Sequence, residues 1–170
     1  MKVLFLDVDE VLVTRRQWFV YRSVFTNTKN VGRKVDQTTL DFLRMLNFHG
    51  VEIVLSSTWR KSRNEKFENL KKEFKLDIKD RTGILGGLRG EEIADWLSRH
   101  KDVTHYVIVD DGCDMLPSQM PHFVNIDPIA GVTVDDMENI CKILGFEEPW
   151  DLRDSWNEAI NSGKIENPWV

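Results

Sequence analysis

Short apolar runs that end abruptly in polar residues are the feature that most constrains the fold of this chain. Four runs have this form: residues 2–8, 51–55, 106–109 and 123–126. Apolar residues at helical spacing lie between them, such as Leu40, Leu43 and Leu46. Strands that alternate with helices predict a parallel sheet with helices on both faces. The expected fold class is therefore α/β, as one doubly wound domain with a central parallel sheet.

The length of the chain, 170 residues, is typical of one domain, which at this size buries about 70% of its unfolded-chain surface. We therefore expect a single domain over residues 1–170, with a C-terminal helical extension over residues 146–170. The two cysteines, Cys113 and Cys141, form no disulfide framework, and no apolar stretch is long enough to span a membrane. We expect a cytoplasmic location and no membrane partner. The oligomeric state stays open.

The charge of the chain is unevenly distributed. The net charge is −5, yet residues 11–35 contain six basic residues and no acidic one. The basic residues are Arg15, Arg16, Arg22, Lys29, Arg33 and Lys34. The aromatic residues interleaved with them are Trp18, Phe19, Tyr21 and Phe25. We call residues 11–35 the basic flap and expect it to face an anion, because an acidic body surrounds it.

Polar clusters follow three of the predicted strands. These clusters are Asp7-Val8-Asp9, Ser56-Ser57-Thr58, and Asp110-Asp111 with Asp114. The carboxyl ends of parallel strands form the ligand-binding edge of such sheets, so the clusters converge if the strands are neighbours. Two carboxylates about 4 Å apart repel by roughly 4 kcal/mol at an effective dielectric near 20. A shared site therefore needs protons or a hard cation such as Mg²⁺, and it favours metal-assisted phosphoryl chemistry.

Four of these segments, in the same order, resemble the motifs of the haloacid dehalogenase (HAD) superfamily. The segment LDVDEVL at residues 6–12 resembles the first motif, and the segment IVLS at residues 53–56 resembles the second. Arg89, before the helical segment that starts at Gly90, stands where the basic third motif is expected. The segment IVDDGCD at residues 108–114 resembles the acidic fourth motif. Order and spacing match through about residue 145, so the resemblance covers most of the chain.

The resemblance implies four catalytic roles. Asp7 would be the nucleophile, and Asp9 would protonate the leaving group and then serve as base for the hydrolytic water. Ser56 would donate a hydrogen bond to the transferring phosphoryl group, and Arg89 would neutralise its charge. The implied activity is a phosphoric monoester hydrolase, a phosphatase that works through an aspartyl-phosphate.

The resemblance also implies a Mg²⁺ site. Its ligands would be the Asp7 carboxylate, the main-chain carbonyl of Asp9, and Asp110 or Asp111. Asp114 would either bind the ion through water or orient the loop.

Two positions depart from the family pattern. Glycine is commonest after the second aspartate, where the chain enters a tight turn, and here Glu10 stands there. The third-motif residue is usually lysine, and Arg89 cannot donate a proton as lysine does. Three basic residues soon after the second motif are its rivals: Arg60, Lys61 and Arg63.

The distance between motifs leaves no room for a large cap, so we expect a capless domain with an open site. Open members of the family accept bulky substrates, including nucleic-acid ends. Arginines with interleaved aromatic residues suit phosphates and stacked bases. The alternative is that these rings pack the basic flap against the body. The predicted partner is a phosphorylated substrate, either a nucleotide or a nucleic-acid end. The candidate substrate-binding residues are Ser57, Arg15, Arg16 and Arg60.

Two other functions share some of these features. A non-catalytic phosphoryl-binding or regulatory module on the same fold is the main alternative, although such a module need not keep both Asp7 and Asp9. A response-regulator receiver domain also combines carboxylates, a hydroxyl and a basic residue. Receivers usually place their acidic pair and phosphoacceptor on different strands, so they fit less well.

Overall fold

A computed structural model describes residues 1–17, 19, 35–61, 67–68, 71–72, 74–147 and 149–167, with only the main chain at Pro149. Most of the basic flap lies outside the described residues, including Arg22 and most of its aromatic side chains. Arg63, a rival for the third-motif role, also lies outside them.

Five parallel strands form one sheet in the order β3-β2-β1-β4-β5. The strands are β1 (Lys2–Leu6), β2 (Val51–Leu55), β3 (Ile78–Arg81), β4 (His105–Asp110) and β5 (Phe123–Asn125). The predicted α/β class with a parallel sheet is therefore confirmed. The first strand ends two residues earlier than expected, because the chain turns back after Val8, where Leu12 N donates to Val8 O at 2.9 Å.

Within the described ranges, four helices with defined bounds cover the sheet. They are α1 (Gln37–Phe48), α2 (Arg89–Arg99), α3 (Val134–Ile143) and α4 (Pro149–Asn161). Side-chain caps define two of the starts: Asp36 accepts from Thr38 N at 3.0 Å, and Thr133 forms a capping box with Asp136. The helix α4 lies within the predicted C-terminal extension. In the part of the chain that is described, no helix is both long and apolar enough to cross a membrane.

Alternation along the strands divides the core into two layers. Leu4 and Leu6 of β1 face the larger layer, which includes buried residues of α1, α3 and α4. Val3 and Phe5 face the smaller layer with Ile93 of α2. Because side chains in a strand point to alternate faces, the residue after Leu6 points toward α2. This residue is Asp7, so the fold directs the first motif to the α2 side of the sheet.

Candidate functional site

The parallel hydrogen-bond ladder continues one residue beyond β1 and β2. Asp7 N donates to Val109 O, and Ser56 N donates to Leu6 O, both at 3.0 Å. Asp110 ends β4 two residues after Ile108, which belongs to the α2-side layer. Asp7, Ser56 and Asp110 therefore stand side by side at the carboxyl edge of the sheet, on the α2 face.

An acidic cluster forms at this edge. Asp7, Asp110 and Asp111 each offer a carboxylate oxygen, and these atoms lie within 4.8 Å of one another. Asp7 and Asp110 are buried, and Asp111 is partly exposed. The three residues that group together are all among the predicted metal ligands. The two remaining predicted ligands lie outside this group: the Asp9 carboxylate accepts from Trp59, and the Asp114 carboxylate accepts from the main chain of Arg89.

Arg89 bridges two members of the acidic cluster. Its Nη1 donates to Asp7 Oδ1 and to Asp110 Oδ2, each at 2.5 Å. Arg89 is the first residue of α2, and its main-chain N–H donates to Asp114 Oδ2 at 3.0 Å. Asp114 thus anchors the start of α2, and its two predicted roles, binding of the ion through water or orientation of the loop, stay predictions. The guanidinium thus places a positive charge within hydrogen-bond distance of the Asp7 carboxylate.

Burial raises the pKa of every carboxyl in the acidic cluster. Burial, reinforced by the charge of Asp7, raises the pKa of Asp110 to about 7. Burial and a hydrogen bond with Glu10 raise the pKa of Asp111 to about 6. Burial also raises the pKa of Asp7, although the charge of Arg89 opposes it. The cluster is thus costly to ionise without further positive charge, and a bound cation would provide that charge.

The turn after β1 places Glu10 in the left-handed region, with φ 62°. Glu10 N donates to Val13 O at 3.1 Å, so the chain reverses tightly here. This explains why glycine is common at this position of the family, because glycine adopts positive φ without steric cost. The Glu10 carboxylate is held by Arg15, whose Nε and Nη2 donate to its two oxygens at 2.8 and 3.0 Å.

Two predicted substrate-binding arginines lie at the described start of the basic flap. Arg15 and Arg16 are both exposed. The acidic partner of Arg15 is Glu10, which immediately precedes the flap. Arg16, in contrast, forms no ion pair with the described residues. Its role in substrate binding stays a prediction.

Asp9 lies on the exposed side of the same turn, and its carboxylate contacts the loop after β2. Asp9 Oδ2 accepts a hydrogen bond from Trp59 Nε1 at 2.9 Å. Trp59 was not among the residues predicted for the site. The sequence feature that could have identified it is an aromatic N–H donor three residues after Ser56, in the turn that follows the second motif.

Arg60 occupies a buried position in the short 3₁₀ helix Thr58–Lys61. Its guanidinium donates to Ser56 O, to Ser57 O at 2.8 Å and to Gly83 O at 3.3 Å, and it forms an ion pair with buried Glu92 of α2. The expectation that Arg60 binds substrate needs correction, because these internal contacts engage its guanidinium. They also favour Arg89 over Arg60 as the basic residue that faces Asp7.

The two serines of the second motif differ in their contacts. The Ser57 hydroxyl hydrogen-bonds to Asp7, and Ser57 Oγ also accepts from Trp59 N at 3.3 Å. Ser56 Oγ is buried and has no hydrogen-bond partner among the described residues. A buried hydroxyl without a partner is costly. A phosphoryl oxygen bound beside Asp7 would offer an acceptor to Ser56.

Comparison with protein families gives a match over most of the chain. The family described as "HAD domain in Swiss Army Knife RNA repair proteins" matches residues 3–137, which include Asp7, Ser56, Arg89 and Asp110. No curated protein and no solved structure matches the chain.

Proposed function

Since the chain belongs to the HAD superfamily, as a HAD domain of the kind found in Swiss Army Knife RNA repair proteins, we propose that it is a Mg²⁺-dependent phosphatase. The family supports a hydrolase-type enzyme in general. The finer proposal is a phosphoric monoester hydrolase that forms an aspartyl-phosphate on Asp7 and acts on phosphorylated nucleic-acid ends.

The observation that carries this proposal is the environment of Asp7. Its buried carboxylate accepts from Arg89 at 2.5 Å and hydrogen-bonds to the Ser57 hydroxyl. Hydrogen-bond donors at fixed positions around a nucleophile can stabilise the charge that develops on a transferring phosphoryl group. The adjacent Ser56 hydroxyl is buried without a partner among the described residues, so a phosphoryl oxygen bound beside Asp7 would supply its acceptor.

The proposed reaction has two steps on this chain. An oxygen of Asp7 attacks phosphorus, while Asp9 gives a proton to the departing oxygen of the substrate. Asp9 then takes a proton from water as that water attacks the phosphorus of the aspartyl-phosphate, and inorganic phosphate leaves. Arg89 pairs with the phosphoryl oxygens, and Ser56 donates its hydroxyl to them.

The acidic cluster fits a Mg²⁺ ion. Asp7, Asp110 and Asp111 supply only oxygen ligands, which hard cations prefer, and burial raises the pKa values of Asp110 and Asp111 to about 7 and about 6. When bound, Mg²⁺ would offset the negative charge of the carboxylates and of the phosphoryl group.

The proposed substrate follows from the family and from the charge of the flap. RNA repair, named in the family description, involves the phosphates at RNA ends. The start of the basic flap presents Arg16 as an exposed cation without an ion pair among the described residues. Cations near the site would contact phosphates beyond the one that is cleaved, and such contacts depend on salt.

The test is a phosphatase assay on 3′- and 5′-phosphorylated RNA oligonucleotides, nucleotides and an aryl phosphate, with Mg²⁺ or with excess chelator. We expect turnover only with Mg²⁺, and its absence in Asp7→Asn. Asp102→Asn is a matched control, because Asp102 is exposed between α2 and β4, at the opposite edge of the sheet. Full activity in chelator would refute the metal assignment.

Trapping of the phosphoenzyme distinguishes the proposed function from its main alternative. Acid quenching during turnover of a ³²P-labelled substrate should leave label on the wild type and none on Asp7→Asn. Asp9→Asn should turn over slowly and retain more label. Binding of phosphate or oligonucleotide with no turnover would instead support a non-catalytic phosphoryl-binding module.

A further inference from the structure

We propose that Trp59 is a positioning residue for Asp9. Its indole N–H holds Oδ2 of the Asp9 carboxylate and leaves Oδ1 as the oxygen that exchanges protons with the substrate and with water. This inference rests on the proposed function, since it assigns the orientation of the group that moves the proton.

The Asp9 carboxylate has few constraints of its own. It is exposed, at the turn where Glu10 adopts a positive φ. Among the described residues, its side-chain hydrogen bond is the one from Trp59 Nε1, at 2.9 Å. The rotation of a short carboxylate side chain about its own bonds would otherwise move both oxygens. The indole N–H therefore selects one orientation of Asp9.

Trp59 itself is held firmly, so its N–H is a fixed donor. Its main-chain N donates to Ser57 Oγ at 3.3 Å, and its ring lies against that of buried Phe74, with centroids 6.3 Å apart. The next residue, Arg60, anchors the same turn through its buried ion pair with Glu92. Because this donor is already held in place, little conformational entropy is lost when Asp9 accepts its hydrogen bond.

One turn thereby contacts both aspartates of the first motif. Ser57 hydrogen-bonds to Asp7, and Trp59 hydrogen-bonds to Asp9. In the proposed reaction these are the nucleophile and the acid–base group, whose relative placement decides the rate of proton transfer. Positioned acid–base catalysis contributes typically about 10²- to 10⁴-fold, and misplacement by about 1 Å can cost about 100-fold.

The test compares leaving groups in Trp59→Phe, which keeps an aromatic ring against Phe74 and removes the N–H. A good leaving group, such as nitrophenolate, departs without a proton, whereas an alkoxide needs one from Asp9. We expect kcat/KM for an alkyl phosphate to fall about tenfold. We expect kcat/KM for nitrophenyl phosphate to change less than about twofold, with more phosphoenzyme at steady state, because Asp9 also serves the second step.

Trp96→Phe is the matched control. Trp96 Nε1 also donates to a carboxylate, Asp80 Oδ2, at 2.7 Å, but in the core on the α2 side. This variant loses the same type of hydrogen bond and should leave the ratio of the two kcat/KM values unchanged, whatever its stability. An equal loss on both substrates in Trp59→Phe would overturn the proposal and give Trp59 a purely structural role.

A readout without turnover separates this inference from the proposed function. In ¹H–¹⁵N spectra, the indole peak that disappears in Trp59→Phe should move in Asp9→Asn, because an amide replaces the carboxyl group that accepts from the indole N–H. A peak that does not move would overturn the contact and the proposal with it. A wild type that shows this contact but turns over no phosphate ester would instead refute the proposed function and the proton-transfer role of Trp59.

Discussion

Asp110→Asn should stabilise the metal-free protein at high pH while it disrupts the proposed metal site. Asp110 is 1% exposed. Burial, together with the charge of Asp7, raises its pKa from an ordinary 3.8 to about 7. The folded protein therefore keeps this carboxyl protonated over a pH range in which the unfolded chain has already released the proton.

The sign of the pH dependence follows from this difference. Because the folded state binds the proton more tightly, the free energy of unfolding is highest below pH 4. It decreases as the pH rises toward about 7. A shift of about three pKa units, at about 1.4 kcal/mol per unit, places the largest contribution of Asp110 near 4 kcal/mol.

The asparagine variant removes this ionisation and keeps much of the local structure. Its side-chain oxygen can still accept from Gly112 N, which donates to Asp110 Oδ1 at 2.9 Å. The charged hydrogen bond from Arg89 Nη1 is lost, at a cost of about 1.5–3 kcal/mol, although Arg89 retains Asp7. We therefore expect a net gain of about 1–3 kcal/mol at pH 8 and no gain at pH 5.

Urea denaturation followed by circular dichroism, with chelator at pH 5 and pH 8, measures this difference. Saturating Mg²⁺ should then stabilise the wild type, by about 2.7 kcal/mol at one hundred times its Kd, and Asp110→Asn much less. A variant that is equally destabilised at both pH values would refute the reasoning. In that case the contact with Arg89, rather than the cost of ionisation, would dominate the energetics of Asp110.

Three further changes test other parts of the structure. Glu92→Gln leaves buried Arg60 without its ion-pair partner and should lower the free energy of unfolding by about 3 kcal/mol or more. Urea titration measures this loss, and near-wild-type stability would contradict it. Gly90→Ala would bring a Cβ within 2.6 Å of Leu116 N, so it should cost about 1–3 kcal/mol and reduce turnover by shifting the start of α2. Unchanged stability and kinetics would show that α2 accommodates the methyl group. Arg16→Gln should raise KM for a phosphorylated oligonucleotide at low salt more than for an aryl phosphate, and the difference should shrink as salt is added. A loss that does not depend on salt would exclude phosphate binding by Arg16.

The sequence was sufficient to predict a parallel sheet, four of its five strands and the residues at its carboxyl edge, whereas β3 was not among the predicted strands. Apolar runs with polar ends predict strands, and the side-chain period of two directs Asp7 to the α2 side. Parallel strands bring their carboxyl ends together, so Asp7, Ser56 and Asp110 could be expected in one site. The place of Arg89 beside Asp7 was implied only by the resemblance to the HAD motifs. Their bridging contact spans 82 positions of the chain.

The sequence could not predict which neighbours within the site contact each other. Ser56 and Ser57 are neighbouring hydroxyls of the same type, and only the structure shows that Ser57 is the one that hydrogen-bonds to Asp7. Arg60 looked like a free cation after the second motif, but Glu92, 32 positions away, holds it in the interior. Local patterns contain no information on such pairs.

Sequence alone thus determined the α/β sheet, the order of its motifs and the edge at which they meet, because strand periodicity and parallel connection are local properties. Tertiary structure decided the pairing of side chains at that edge. The hydrogen bond from Trp59 to Asp9 depends on how the turn after β2 packs against buried Phe74 and on the reversal of the chain at Glu10. Packing of one loop against another fixes side-chain positions to within the length of a hydrogen bond, and that placement arises only when the whole core has formed.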